Sequence, residues 1–233
     1  MSFIFLAEKA HPVLQGEGNL IGKKMIVCRV KGCNLKCINC DSAYTWQSQG
    51  KSSNKEEFKY SVKDLSKVIN IMTEEYKTEY IMITGGAPSL YQNELFDLIN
   101  GNQHLKFQIE DAGDKNWAMF NHFTNLFFSF SPKIGALENQ TTVKSWKAFE
   151  NIHRNFICKV VVSEDTLEQD LLSIEKFKSK YYIPNNRIYL MPFGTTREEI
   201  IKQSSILLDA AFENGYNFSP RLHVLLFDNK RLV

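Results

Sequence analysis

The chain has 233 residues, 43% of them hydrophobic, against a usual domain size of about 100–200 residues, so it holds one large or two small domains with enough apolar mass for a buried core. Lys and Arg number 28 and Asp and Glu 26, a formal charge of +2. That balance excludes binding to nucleic acid or an anionic membrane driven by overall charge. The apolar run near the start, Phe3 to Ala7, falls well short of the roughly 18 residues of a membrane span and the 7–15 of a signal-peptide core. The expectation is a cytoplasmic protein with no membrane and no nucleic-acid partner. Of five cysteines, Cys33, Cys37 and Cys40 crowd into one short segment, which favours ligation over a disulfide framework.

In chain order, β-branched and aromatic runs predict strands at Met25 to Val30, Tyr80 to Thr84, Lys106 to Glu110, Leu126 to Phe130, Phe156 to Val162, Arg187 to Met191 and Leu222 to Phe227. Gln47 to Asn54 is polar, carries a glycine and reads as a surface loop. A helix is predicted after Ser61, where Asp64 completes a capping pattern and Val62, Leu65, Val68, Ile69 and Met72 form the apolar stripe. Thr195 with Glu198 repeats the signature ahead of Ile200, Ile201, Ile206 and Leu207. Strands alternating with helices predict an α/β fold with a mostly parallel sheet, open or curled toward a barrel, whose ligands gather at the carboxyl ends of the strands. No linker-like stretch or repeat divides the chain, so residues 1–233 are expected to form a single domain.

Cys33, Cys37 and Cys40 are spaced C-x3-C-x2-C directly after the strand ending at Val30. Three thiolates can hold three irons of a [4Fe–4S] cluster and leave the fourth open to another ligand. A closed zinc site is the rival reading, and would need a fourth ligand such as Cys28 or His11. Cys28 and Cys158 both lie in apolar strands, where a cysteine is ordinarily a small hydrophobe.

The cysteine spacing is the signature of the radical S-adenosylmethionine (SAM) superfamily. Together with Leu14-Gln15-Gly16-Glu17-Gly18, GCNLKCINCDSAYTW, Thr84-Gly85-Gly86, Ser131-Pro132-Lys133 and the C-terminal RLHVLLFDNKR, the chain resembles the 7-carboxy-7-deazaguanine synthase family over nearly its whole length. The resemblance implies a partial TIM-like barrel of radical SAM type, with its cluster-binding loop near residues 31–42. It also implies the ring contraction of 6-carboxy-5,6,7,8-tetrahydropterin to 7-carboxy-7-deazaguanine with loss of ammonia, on the route to queuosine-type 7-deazaguanines. In the family, a [4Fe–4S] cluster cleaves SAM to a 5′-deoxyadenosyl radical that takes a hydrogen from C6 of the pterin. SAM is regenerated, Mg2+ is required, the enzyme is a homodimer, and a reducing protein such as flavodoxin or ferredoxin supplies the electron.

Carried over residue by residue, the resemblance implies a pterin site of Leu14, Gln15, Gly16, Glu17, Arg29, Thr84 and His223, with Arg29 clamping the substrate carboxylate. Gln15 can donate and accept, and Glu17 suits pterin N–H groups. On the SAM side stand Asn39, Cys40, Asp41, Gly86, Ser131, Pro132, Lys133 and Lys159, and the run Met191, Pro192, Phe193, Gly194 for the adenosine. Cys33, Cys37 and Cys40 ligate the cluster, and Ser42 takes the place of the family's Mg2+-binding threonine. Arg221 ranks below His223 as a substrate residue, and the DNKRLV tail aligns with one that closes over the substrate. Two positions depart from the family pattern: Ala87 where glutamate is common, and Asp111 in Glu110-Asp111-Ala112-Gly113. They leave open a radical SAM enzyme for another substrate, such as an activase of glycyl-radical proteins; a zinc-binding interaction module is the third possibility.

Overall fold

A computed structural model describes residues 3–47, 58–136, 143, 145–153, 155–228 and 230. In chain order the elements are β1 (Phe3–Leu6), β2 (His11–Leu14), β3 (Lys24–Val30), β4 (Phe58–Ser61), α1 (Val62–Tyr76), β5 (Tyr80–Gly85), α2 (Gln92–Asn100), β6 (Lys106–Asp111), β7 (Leu126–Phe130), β8 (Phe156–Val162), α3 (Leu167–Tyr181), β9 (Ile188–Pro192), α4 (Arg197–Glu213), β10 (Asn217–Phe218) and α5 (Leu222–Phe227). The strands form one sheet in the order β10-β9-β8-β7-β6-β5-β3-β1-β4, with β2 paired to β3. Every pairing from β3 through β5 to β10 is parallel, whereas β1 and β2 join β3, and β4 joins β1, antiparallel. Strands β10 and β4 end the order without pairing to each other, which leaves the barrel partial, as expected.

Alternation along the parallel strands separates two faces. One carries Ile26, Cys28, Val30, Ile81, Ile83, Phe107, Ile109, Phe128, Phe130, Phe156, Cys158 and Val160, all in the main core with the helices. The other begins with a small apolar floor of Met25, Val27 and Met82, above which Arg29 and Thr84, Glu110 and Ser129, and Lys159 and Tyr189 are register partners. Between β6 and β7 no α-helix intervenes. Aromatic side chains cover that part of the sheet instead: Trp117 packs on Phe120 and Phe128 at 4.9 and 5.2 Å, and Phe130 lies flat on Phe128 at 5.0 Å. Phe120, Phe128 and Phe130 of this region are thus core.

Ser61 caps α1 by accepting from the Asp64 N–H, as the sequence predicts. Two expectations are corrected. The cap of α4 is Thr196 with Glu199, one residue beyond Thr195 and Glu198, closing a reciprocal capping box. That register buries Ile200 and Leu207 and leaves Ile201 and Ile206 outside. The run Leu222 to Phe227 is helix α5, not a strand; a six-residue apolar run fits either period, and the backbone here bonds locally, Leu225 N–H to Arg221 O. Residues 48–54 of the polar loop lie outside the described residues, as do 229 and 231–233 of the tail. Among the described residues no helix is long and apolar enough to cross a membrane.

Candidate active site

The cysteine loop leaves the carboxyl end of β3 and is held against β5 by main chain. Gly86 N–H donates to Val30 O at 2.9 Å and Ala87 N–H to Gly32 O at 2.8 Å. A Cβ on Gly86 would stand 1.8 Å from Gly32 O, so only glycine allows the two backbones this close. The glycines after β5 therefore serve first to seat the cysteine loop. Around the thiols, Leu35 N–H donates to Cys33 Sγ at 3.3 Å and Trp46 Nε1–H to Cys40 Sγ at 3.4 Å. Burial pushes the Cys33 thiol up to about 11 against the Leu35 hydrogen bond, and the nearby Cys37 and Cys40 add to the rise. N–H donors aimed at sulfur fit thiolate ligands of an iron–sulfur group, whose potential such donors tune. Among the described residues no three His, Cys, Asp or Glu side chains are grouped to hold a single ion. Cys28 and Cys158 are fully buried apart from it, burial raising Cys28 to about 12.

Ser42 Oγ lies 3.7 Å from Cys40 Sγ and donates to Gly85 O at 3.2 Å, which puts its oxygen over the end of β5. Asn39 is exposed on the loop, and Asp41 turns its carboxylate away from the thiols to Arg221 Nη2 at 2.5 Å. Farther round the rim, Lys133 Nζ donates to Ser131 Oγ at 3.2 Å beside buried Pro132. Met191 and Pro192 at the end of β9 and Gly194 beyond it are buried, with Phe193 half-buried, and Phe193 N–H donates to Val162 O.

Below the rim, the inner face holds a connected polar cluster. Lys159 Nζ lies 2.7 Å from Glu17 Oε2 and 2.9 Å from Glu110 Oε1. Thr84 Oγ1 donates to Glu110 Oε2 at 3.1 Å, and Gln15 Nε2 reaches Gln108 Oε1 at 2.5 Å and Glu110 Oε1 at 3.2 Å. Arg221 Nε meets Glu17 Oε1 at 3.2 Å. Burial by itself would raise Glu17, but Lys159, Arg221 and His223 together hold it well below the carboxylate range. Burial would likewise lower Lys159, and Glu110 and Glu17 more than reverse it. Glu17 and Lys159 thus hold each other charged against the cost of burial. His223, half-buried, has Nε2 3.8 Å from Glu17 Oε1; burial lowers its pKa, and Glu17 only partly offsets that.

Of the expected substrate residues, Glu17, Thr84 and His223 come together here. Gly16 lies under His223, where a Cβ would be 2.2 Å from Nδ1. Gln15 is present but its amide is spent on the protein: Nε2 serves Gln108 and Glu110, and Oε1 accepts from Glu17 N–H at 3.1 Å. Leu14 is half exposed at 52%. Arg29 sits on the inner face beside Thr84, with Nε on Glu8 Oε1 at 2.9 Å. Lys159, expected toward SAM, stands at the centre of the Glu17–Glu110 cluster. Asp111 is on the opposite face, buried, accepting from Ser89 and Gly113 N–H groups at 3.1 and 2.8 Å. Sequence reading missed Gln108 and Glu110 and undervalued Arg221. The signal for the first two was the alternation in β6, where polar Gln108 and Glu110 interleave with Phe107 and Ile109 in a strand flanked on both sides.

A family model for a 4Fe-4S single cluster domain matches residues 14–129, the span from the Gln15–Glu17 loop through the cysteines to β7. The chain is 29% identical over 221 residues to the 7-carboxy-7-deazaguanine synthase of Pyrobaculum aerophilum, covering 94% of this chain and 92% of that one. It is 26% identical over 250 residues, the full length of both, to the Bacillus cereus protein of the same name. In fold it is similar to the crystal structure of QueE from Escherichia coli, with a TM-score of 0.71, 22% identity and 95% of each chain covered. With the cysteine loop seated at the carboxyl ends of a partial parallel barrel and full-length relatives of one name, the chain belongs to the 7-carboxy-7-deazaguanine synthase family of radical SAM enzymes.

Proposed function

We propose that the chain converts 6-carboxy-5,6,7,8-tetrahydropterin to 7-carboxy-7-deazaguanine and ammonia, as a radical SAM lyase. The observation that carries the reading is the cluster of Glu17 and Glu110 with buried Lys159 and Arg221, tied to the cysteine loop through Asp41, a charged floor suited to a polar heterocycle. Cys33, Cys37 and Cys40 would hold the [4Fe–4S] cluster, with Trp46 and Leu35 donating to sulfur. Bound there, the cluster and SAM would supply hydrogen-atom abstraction from a substrate carbon.

The chain's own residues orient the substrate and keep the site dry. Glu17, held ionised by Lys159 and Arg221, and Glu110, in contact with Lys159, offer acceptors for the N–H groups of a pterin edge. The 3.8 Å between His223 Nε2 and Glu17 Oε1 is too long for a hydrogen bond and can be bridged by a substrate N–H or O–H. Arg29, beside Thr84, is the clamp for the substrate carboxylate, with Glu8 fixing its plane through Nε. Ser42 Oγ is the protein's oxygen for Mg2+, an ion that accepts few protein ligands. Gly86, Ser131, Pro132, Lys133 and residues 191–194 border the SAM side, with Asn39 and Asp41 on the cysteine loop above. The same reading has the chain act as one domain and as a homodimer in the cytoplasm, primed by a flavodoxin- or ferredoxin-type donor.

The test is anaerobic: reconstitute with iron and sulfide, supply reductant, SAM, Mg2+ and the carboxypterin, and follow product by mass spectrometry. Appearance of 7-carboxy-7-deazaguanine is the expected result. Release of 5′-deoxyadenosine without it would reassign the substrate.

A further inference from the structure

Three segments of the site come from distant parts of the chain: residues 15–18 before β3, the cysteine loop after it, and residues 193–194 after β9. One side chain touches all three. Arg221, 7% exposed, spends its guanidinium on Glu17 Oε1 through Nε at 3.2 Å, on Gly194 O through Nη1 at 2.6 Å and on Asp41 Oδ2 through Nη2 at 2.5 Å. It stands at the start of α5, whose Leu222 N–H donates to Gly16 O at 2.8 Å, so its own backbone is anchored to the first of the segments it joins. Asp41 differs from the other partners in being well exposed, its side chain 59% accessible. An exposed carboxylate does not need a buried arginine for its own solvation, so the 2.5 Å contact fixes position.

We propose that Arg221 is a positioning residue that couples the substrate-side loop, the cysteine loop and the loop after β9, so that order imposed on one is transmitted to the other two. This rests on the function proposed above only for the names of the ligands; the mechanical tie stands without them. A planar fork suits this role, since its donors point in fixed and different directions. A lysine could pair with one carboxylate but could not serve three acceptors at these angles. Because such coupling is reciprocal, whatever orders the Glu17 loop also orders the Asp41 loop, and the reverse.

The experiment is hydrogen–deuterium exchange, read by mass spectrometry on the anaerobically reconstituted protein, comparing wild type, Asp41→Asn and Arg221→Lys. Asp41→Asn alters a partly exposed side chain and is chosen to keep the fold. The expected result is several-fold faster exchange not only in residues 33–47 but also in 15–20 and 193–196, which Asp41 does not touch. Arg221→Lys is expected to loosen all three by at least as much. Faster exchange confined to the cysteine loop in Asp41→Asn would overturn the coupling, even if Arg221→Lys fails to fold. A second readout is 5′-deoxyadenosine released per product formed, expected to rise about tenfold in Arg221→Lys, in line with the cost of small misplacements at a reacting centre. A proportional fall in both, with exchange unchanged, would reduce Arg221 to a purely structural role. Absence of product in wild type would bear on the proposed substrate and leave the exchange test standing.

Discussion

Along β8, Phe156, Cys158, Val160 and Val162 enter the core beneath the helices while Lys159, between them, reaches across the hollow of the sheet to Glu17 and Glu110. Along β6 the same division sets Phe107 and Ile109 against Gln108 and Glu110. Both faces are buried, yet one is closed by apolar contact that tolerates repacking and the other by ions that tolerate no missing partner. Stability and chemistry therefore reside on alternate residues of the same strands, and substitutions one position apart are expected to fail in different ways.

The largest effect is expected at the rim above the inner face: Cys37→Ala should abolish both the iron–sulfur absorbance and product formation, and retention of either would remove Cys37 from the ligand set. Next, Lys159→Met leaves Glu17 and Glu110 without their shared cation, and removal of one partner of a buried ion pair costs about 3–5 kcal/mol. Denaturant unfolding should register that loss, together with a fall in product per folded molecule of at least about a hundredfold. Its counterpart on the other face, Phe130→Ala, also falls in the range of about 3–5 kcal/mol for a core aromatic but should leave product per folded molecule within about twofold. If the two substitutions reduced turnover equally, the division of labour between the faces would be wrong.

A subtler contrast lies in pH. Glu17 is held below its ordinary 4.5, so it stabilises the fold above that pH, and the benefit is lost as pH falls toward the folded-state value. His223 is held below 6.5, so the folded state resists its protonation and stability declines as pH drops from 6.5 through the lower folded value. Unfolding midpoints measured from pH 8 to 2 should therefore fall in two stages, and His223→Gln should erase the upper one alone. The smallest effect is expected at the exposed Lys106–Glu79 pair, whose side chains are each 51% accessible. There Lys106→Ala should leave the unfolding midpoint within measurement error.

Much of this division was legible in the sequence. The parallel strands from β3 to β9 fall where β-branched and aromatic runs place them, and Ser61 with Asp64 marks the start of α1 to the residue. The antiparallel strands β1, β2 and β4 were not read: each is four residues long, β2 contains Pro12, and their stability comes from pairing with distant β3 or with each other, which local pattern does not encode. The double Thr195-Thr196 and Glu198-Glu199 satisfies the capping pattern in two registers, and only packing of Ile200 and Leu207 chooses between them. At the site, the cysteine spacing is contiguous and was readable, as were Glu17 and His223 by resemblance. Arg221 was not, because its role consists in meeting Glu17, Asp41 and Gly194, separated from it by up to 204 positions.

The backbone contact between Gly86 and Gly32 carries an evolutionary consequence. Because the cysteine loop is anchored by amide and carbonyl groups, its position over β5 does not depend on the side chain that follows. Buried Ala87 is therefore a side chain that the scaffold carries without displacing the thiols. Gly86 itself has no such latitude, since any side chain would drive β5 and the cysteine loop apart.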